Sequence, residues 1–223
     1  MRVVVLGITT ALGARLAQAL PAYGCTPVGL IRKAAQREPL RAAGVETVLL
    51  DTDGDGVRDG LSQALAGAGA VVLAAGTGTG PGSLGAATTA ASPAELLSRA
   101  AERAGVRRYV MVSALLPDET VRAELGDRLP AYLREKQQAE HALHARDLDW
   151  CVLRPGTLDD APATGRIRMG TGADPRPDGR IARTDLAATL CEILTGPVPV
   201  CGTLAVSTGD VPVRDAVAAL RPG

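Results

Sequence analysis

The chain has 223 residues, a length that suits a single domain with a full hydrophobic core. Its 24 basic and 24 acidic residues cancel, which argues against binding to nucleic acid or to a membrane surface, because both functions need a basic face. Aromatic residues make up only 2% of the chain, with no phenylalanine, so platforms for stacking bases are not expected either. The core must be built from aliphatic side chains.

The four cysteines are scattered and form no C-x-x-C pair, which is typical of buried thiols in a reducing compartment. No signal peptide precedes the first apolar run, and no run reaches the length that spans a membrane. We therefore expect a soluble cytoplasmic protein.

The first residues predict a strand, a tight turn and the start of a helix. Val3 to Leu6 form a buried strand, Gly7 follows at once, and a helix runs from about Ala11 to about Ala22. The unpaired N–H groups and the dipole at such a helix start favour phosphate. Gly7 and Gly13 fit a G-x-x-G-x-x-G spacing, which indicates the dinucleotide-binding turn of a Rossmann unit.

Thr10 occupies the middle position of that motif, where a glycine normally lets the backbone approach the pyrophosphate. The threonine brings a hydroxyl that can donate to a phosphate and a methyl group that can block one. The motif by itself leaves both outcomes open, together with an ordinary strand-to-helix turn.

Apolar runs and helical segments then alternate along the chain. The further strands are predicted at Thr26–Ile31, Glu46–Leu50, Ala70–Ala74, Arg108–Val112, Asp149–Leu153 and Thr203–Ser207. The further helices are predicted at about Pro39–Ala43, Val57–Ala68, Pro93–Ala104, Ala131–Ala145, Thr184–Thr195 and Val213–Leu220. This alternation predicts an α/β fold, a Rossmann-like doubly wound parallel sheet with helices on both faces.

Residues Arg154 to Arg180 are rich in proline and glycine and show little periodicity. We expect a small irregular substrate lobe at about 154–183, over the carboxyl edge of the sheet, within a single NAD(P)-binding domain that spans residues 1–223.

Several strand tips carry candidate cofactor contacts. Arg32 and Lys33 stand where a NAD site would usually place an acidic residue, so they favour the 2′-phosphate of NADP over NAD, the alternative being a solvated basic pair. Asp51 would lie near an adenine, and small residues at the next tip would let a flat ligand lie against the backbone. The predicted cofactor-binding residues are Gly7, Thr9, Thr10, Ala11, Leu12, Gly13, Arg32, Lys33, Asp51, Ala74, Ala75, Gly76, Lys136 and Pro155.

A serine, a tyrosine and a lysine form the candidate catalytic set. Ser113 ends the fifth strand, and Tyr132 and Lys136 lie four positions apart on the following helix, hence on one face. An ammonium beside a phenol lowers the phenol's pKa, so the pair can act as a general acid for a carbonyl oxygen. Ser113 would hydrogen-bond the same oxygen. The alternative is a helix with an amphipathic tyrosine and a surface lysine.

No metal site is predicted. The turn that begins at Asp51 matches only the opening of an EF-hand loop, because Ser62 stands where the bidentate glutamate belongs. His141 and His144 share a helix face, which is more typical of a solvated face than of metal ligation.

These motifs together resemble the atypical short-chain dehydrogenase/reductases, of the NAD(P)-binding, NmrA-like and sugar-epimerase-like kind. The matching segments are Gly7 to Gly13, Ala74 to Gly76, Ala104 to Ser113, Tyr132 to Lys136 with Ala139-Glu140, Leu148 to Gly156, and Arg183 to Ala187. The resemblance implies a Rossmann-like fold, bound NAD(P), and catalytic roles for Ser113, Tyr132 and Lys136. It also implies that Lys136 holds the nicotinamide ribose and that the Arg154-Pro155-Gly156 segment lies beside the nicotinamide.

Three functions follow as hypotheses. The first is an NADP-dependent oxidoreductase that acts on a small carbonyl or alcohol. The alternatives are a non-catalytic NAD(P)-binding sensor or regulatory protein, and a nucleotide-sugar epimerase or dehydratase, for which the short lobe after Gly156 leaves less room.

Overall fold

A computed structural model of the protein describes residues 1–50, 55–74, 93–113, 126–171 and 179–220. Its centre is a nine-stranded sheet. The first six strands are β1 (Arg2–Leu6), β2 (Thr26–Ile31), β3 (Glu46–Leu49), β4 (Ala68–Leu73), β5 (Arg108–Val112) and β6 (Asp149–Pro155). They are parallel and lie side by side in the order β3-β2-β1-β4-β5-β6, with the reversal of strand order at β1. This is the doubly wound order of dinucleotide-binding folds.

The remaining strands extend one edge of the sheet and form a small second ladder. They are β7 (Thr157–Asp159), β8 (Arg166–Thr171), β9 (Arg180–Ala182), β10 (Gly202–Thr208) and β11 (Val211–Pro212). Strand β10 is parallel to β6, while β8 runs antiparallel to both β10 and β11. Strands β7 and β9 pair with each other.

Helices cover both faces of the sheet. In the described residues they are α1 (Ala11–Ala19), α2 (Arg37–Ala42), α3 (Asp55–Leu65), α4 (Pro93–Arg103), α5 (Leu129–His144), α6 (Arg183–Thr195) and α7 (Val213–Ala218). Alternate residues of β1 point to opposite faces: Val3 and Val5 pack in the core beneath α1 and α6, and Val4 and Leu6 in the core beneath α3, α4 and α5. The predicted Rossmann-like fold is confirmed.

The helix predicted from Ala11 to Ala22 ends earlier. Helix α1 stops at Ala19, and the chain continues as a 3₁₀ helix over Leu20–Tyr23. Pro21 explains the change, because a proline has no N–H to continue the α-helical ladder.

The prediction of irregular structure from Arg154 to Arg180 is wrong for much of that segment. Strand β6 runs on to Pro155, and β7 and β8 follow within it, with β9 beginning at Arg180. Strand β8 depends on hydrogen bonds to β10, more than thirty residues later, so its own residues carry little signal. The division into a single domain with a lobe remains a prediction.

Asp185 ties this region to helix α6. The residue lies in the first turn of α6 and is 1% exposed, and its carboxylate accepts hydrogen bonds from the backbone N–H groups of Thr164 and Gly165 at 2.9 Å each. It therefore holds the loop that leads into β8 against the core.

We expect Asp185→Ala to lower the free energy of unfolding by about 2–3 kcal/mol, because two backbone N–H donors lose the charged acceptor that the buried Asp185 supplies. Asp215→Ala is a matched control, since Asp215 holds the same position in the first turn of α7 but is exposed. Urea denaturation of both variants measures the difference. Equal losses in the two would show that the buried bonds of Asp185 contribute nothing beyond an acidic residue near a helix start.

Candidate active site

The carboxyl ends of the central strands meet at one edge of the sheet, and the candidate residues follow them directly. The N–H of Ala74, after β4, donates to the carbonyl of Leu6 at 2.8 Å. The N–H of Ser113, after β5, donates to the carbonyl of Leu153 at 2.8 Å. These bonds extend the ladder beyond the strands and place Gly7, Ala74 and Ser113 along the edge where open α/β sheets bind ligands.

The turn after β1 is tight enough to require glycine at two positions. Gly7 has a φ of 98°, which L side chains rarely adopt. A Cβ at Gly13 would lie 2.1 Å from the carbonyl oxygen of Gly7, so only glycine lets α1 pack this closely on the turn. Both glycines of the sequence motif therefore have the physical role that a dinucleotide-binding turn needs.

Thr10 is the N-cap of α1, and its hydroxyl is engaged inside the turn. The Oγ1 atom donates to the Gly7 carbonyl at 2.8 Å and accepts from the Gly13 N–H at 3.0 Å. Its backbone is extended, with φ −76° and ψ 162°, so this position does not need glycine for conformational reasons. The hydroxyl is thus used as a helix cap and does not donate to a phosphate in this arrangement.

Two N–H groups of the first helical turn stay open for an anion. The N–H of Thr10 donates to the Gly7 carbonyl and that of Gly13 donates to Thr10, but within the described residues the N–H groups of Ala11 and Leu12 meet no acceptor. Thr9 and Ala11 are exposed at the same turn. This turn, which we call the anion cradle, can therefore hold a phosphate through the N–H groups of Ala11 and Leu12 and through the dipole of α1.

Arg32 and Lys33 follow β2 on an exposed turn. Their backbone N–H groups both donate to the side-chain oxygen of Gln36, at 3.1 and 3.0 Å. Gln36 therefore fixes the backbone of the two cations beside the turn after β1. The predicted contacts Asp51, Ala75 and Gly76 lie outside the described residues.

Ser113, Glu140 and Arg154 form a hydrogen-bonded network at the end of β5, in which Ser113 and Glu140 are buried and Arg154 is partly exposed. The Ser113 hydroxyl donates to Oε1 of Glu140 at 2.5 Å. Arg154 donates to both oxygens of Glu140, from Nε to Oε1 at 3.2 Å and from Nη2 to Oε2 at 2.5 Å. Ser113 is 5% exposed and Glu140 is 7% exposed. A bidentate guanidinium is the partner that a buried carboxylate needs.

Glu140 is held in its ionised form. Burial by itself raises the pKa of Glu140, but the hydrogen bonds from Arg154 and Ser113, together with the positive charge of Arg154, outweigh it and leave this pKa below its ordinary value. The network therefore carries a carboxylate.

Lys136 is brought to the same point from helix α5. Lys136 is 6% exposed, and its ammonium donates to the carbonyl of Val112, the residue directly before Ser113, at 3.2 Å. Tyr132 lies one turn earlier on α5, and its side chain is outside the described part of the structure. The fold thus brings Lys136 and Ser113 together.

Pro155 lies at the end of β6, next to the network's arginine. It is buried and pairs with Val206 of β10. A Cβ at Gly156 would lie 1.9 Å from the carbonyl oxygen of Gly179, so the chain after Pro155 is packed closely against the start of β9. This packing positions Arg154 and Pro155 at the same edge as Ser113.

Sequence reasoning assigned no role to Glu140. The residue stands four positions after Lys136, on the same face of α5, and that spacing was the available signal. The sequence does not indicate that Arg154, on strand β6, pairs with the Glu140 carboxylate.

The two histidines of α5 are exposed. The His144 ring lies 4.3 Å from the Trp150 ring between centroids, and a ring nitrogen of His141 lies 3.2 Å from the carbonyl oxygen of Gln137. Within the described ranges, no group of three or more potential metal ligands is found. The same ranges contain no helix long and apolar enough to cross a membrane.

A family model described as NAD(P)H-binding matches residues 7–197 of the chain. The chain belongs to this NAD(P)H-binding family. The match begins at Gly7 of the turn and includes both the Ser113 network and Lys136. The resemblance to the atypical short-chain dehydrogenase/reductases is thereby confirmed, and the family implies small-molecule ligands.

Relatives of this NAD(P)H-binding protein carry epimerase and oxidoreductase names. The uncharacterized sugar epimerase YhfK of Bacillus subtilis is 29% identical over 97% of this chain and 99% of its own. A Bacillus halodurans structure, provisionally assigned as an NAD-dependent epimerase/dehydratase, has a TM-score of 0.76 and 28% identity, covering 98% of this chain and 99% of that one. The structure of the oxidoreductase ylbE from Lactococcus lactis has a TM-score of 0.77 at 24% identity, covering 99% and 96%, and shows the common fold.

The ionised Glu140 gives the stability of this protein a defined pH dependence. Because folding lowers the pKa of Glu140, its carboxylate stabilises the folded state at every pH above the pKa of the unfolded state. This stabilisation is lost as the pH falls through the pKa of the folded state. We expect Glu140→Gln to cost about 2–3 kcal/mol of unfolding free energy near pH 7, with the difference from the wild type shrinking below about pH 4.5.

Melting and urea curves across this pH range measure the difference, with Glu38→Gln as the control for loss of an exposed carboxylate. A difference between wild type and Glu140→Gln that stays constant down to acidic pH would contradict an ionised, stabilising Glu140.

Proposed function

We propose that the protein is an NADP-dependent oxidoreductase of the atypical short-chain dehydrogenase type, which transfers hydride between NADP(H) and a small carbonyl or alcohol substrate. The observation that carries this proposal is the meeting of α5 and β5, where the Lys136 ammonium donates to the carbonyl of Val112, directly before Ser113. This contact puts the lysine, the serine and the helix turn of Tyr132 at the ligand-binding edge of the sheet.

The described residues support a dinucleotide in two places. Gly7, Gly13 and the open N–H groups of Ala11 and Leu12 suit the pyrophosphate. Arg32 and Lys33 suit a 2′-phosphate, because the tip of β2 carries two cations and no carboxylate. When bound, the nicotinamide supplies or accepts the hydride.

The chain's own residues manage the proton. Tyr132 gives its hydroxyl proton to the carbonyl oxygen as the carbonyl carbon is reduced, and takes a proton back from an alcohol in the reverse direction. The buried Lys136 ammonium, one turn along α5, stabilises the phenolate form of Tyr132. The same groups would serve an epimerase that oxidises and re-reduces one sugar carbon, an alternative favoured by the names of the full-length relatives.

We expect NADPH to raise the melting temperature of the wild type more than NADH does. At a concentration of one hundred times Kd, binding adds about 2.7 kcal/mol, which corresponds to roughly 5–10 °C for a chain of this length. Replacing Arg32 and Lys33 together by alanine is expected to remove the preference for NADPH, because the cations no longer meet the 2′-phosphate.

Arg41→Ala is the control for that experiment, since Arg41 is an exposed cation of neighbouring helix α2. Equal shifts with NADPH and NADH in the wild type would overturn the NADP assignment. A protein that responds to neither dinucleotide would overturn the proposed function itself.

We expect Tyr132→Phe to keep its NADPH-dependent melting shift and to lose about 10²–10⁴-fold in kcat, because it removes the proton donor alone. Tyr23→Phe is the matched control, as it makes the same change outside the site. Turnover is followed by NADPH absorbance on a panel of small carbonyl compounds. Unchanged turnover in Tyr132→Phe would refute the catalytic role, and an epimerase would interconvert sugars without net NADPH consumption.

A further inference from the structure

The Ser113 hydroxyl has a defined hydrogen-bond polarity. A serine hydroxyl carries one proton and two lone pairs. The carboxylate of Glu140 has no proton to give, because it accepts two hydrogen bonds from Arg154 in a buried setting. In the 2.5 Å contact between Ser113 and Glu140, the serine must therefore be the donor.

The remaining capacity of Ser113 is that of an acceptor. Its proton is committed to Glu140, so only lone pairs of Oγ are left for a ligand. Within the described residues, no other group donates to this oxygen. Its backbone N–H donates to the Leu153 carbonyl at 2.8 Å, and its hydroxyl is directed by the bond to Glu140.

This polarity does not fit the role that the sequence predicts for Ser113. A substrate carbonyl oxygen is itself an acceptor and gains nothing from facing the lone pairs of Ser113. In the proposed reaction the proton for that oxygen comes from Tyr132. A substrate group that hydrogen-bonds Ser113 must then be a donor.

We propose that Glu140 is a positioning residue that holds Ser113 as a hydrogen-bond acceptor, and that the substrate is an α-hydroxy carbonyl compound, or the matching vicinal diol, whose neighbouring hydroxyl donates to Ser113. This inference rests on the proposed oxidoreductase function and specifies its substrate class. Arg154 takes part by keeping Glu140 in place and ionised.

The reaction balances with the groups already named. In the reducing direction, hydride from NADPH forms the new C–H bond and the Tyr132 proton forms the new O–H bond, so the α-hydroxy ketone becomes a vicinal diol and NADPH becomes NADP⁺. Tyr132 regains its proton from solvent. The neighbouring hydroxyl keeps its proton throughout and serves only to orient the substrate.

The test compares acetoin, which has a hydroxyl next to its ketone, with acetoin methyl ether, in which a methyl group replaces the hydroxyl proton. The readout is the ratio of kcat/KM for the two ketones, measured by NADPH oxidation. The wild type is expected to favour acetoin by about tenfold or more, because the ether leaves a buried acceptor unpaired. A general loss of stability would lower both rates and leave this ratio unchanged.

Glu140→Gln is expected to abolish that preference. The glutamine turns its oxygen to Arg154 and its NH₂ to Ser113, so that Ser113 now accepts from the glutamine and directs its own proton to the ligand. Ser113→Ala is a second variant that leaves the Glu140–Arg154 pair intact and should lose the preference by removing the acceptor. Glu38→Gln, on exposed helix α2, is expected to keep the wild-type ratio.

A wild-type ratio near one, a preference for the ether, or an undiminished preference in either Glu140→Gln or Ser113→Ala would overturn the inference. NADPH binding without turnover of acetoin would overturn the substrate class and leave the proposed NADP-dependent function standing. Absence of any melting shift with NADPH would contradict the proposed function and therefore also this inference.

Discussion

Burial of the central parallel sheet on both faces is the constraint on which the rest of this protein depends. Strand β1 has no exposed face, since Val3 and Val5 enter one core and Val4 and Leu6 the other. Helices therefore cover the two faces, and because β1 to β6 are parallel, the chain must return to the same end of the sheet between one of these strands and the next. Open sheets of this kind bind ligands at the edge formed by the carboxyl ends of their parallel strands.

That edge concentrates polar groups in a place with little water. Ser113, Lys136 and Glu140 are each less than a tenth exposed, and each has a partner. A buried charge persists only when it is paired and hydrogen-bonded, which is why Arg154 reaches Glu140 with two nitrogens. The same desolvation that makes these contacts necessary gives each donor and acceptor a fixed direction, and fixed directions are what a specific site requires.

The turn after β1 shows how a departure from a motif can be absorbed. Thr10 replaces a glycine, but its backbone angles are ordinary and its hydroxyl caps α1 through Gly13. The cap uses one N–H that a glycine at this position would leave open, and two others remain. A threonine in this motif therefore preserves the helix start. It reduces the number of N–H groups that an anion can use, but it does not abolish the anion site.

The sequence by itself determined the alternation of strands and helices, the Rossmann-like class and the positions of Gly7, Gly13, Ser113 and Lys136, because these depend on local periodicity, on backbone angles that glycine permits, and on helical spacing. The tertiary structure decided the strands β7, β8 and β9 and the partner of Glu140. Those features depend on contacts between residues distant in the chain, such as β8 with β10 and Arg154 with Glu140. The tertiary structure also decided that Ser113 donates its hydrogen bond to Glu140, because the direction of a hydroxyl depends on neighbours that only folding brings within reach.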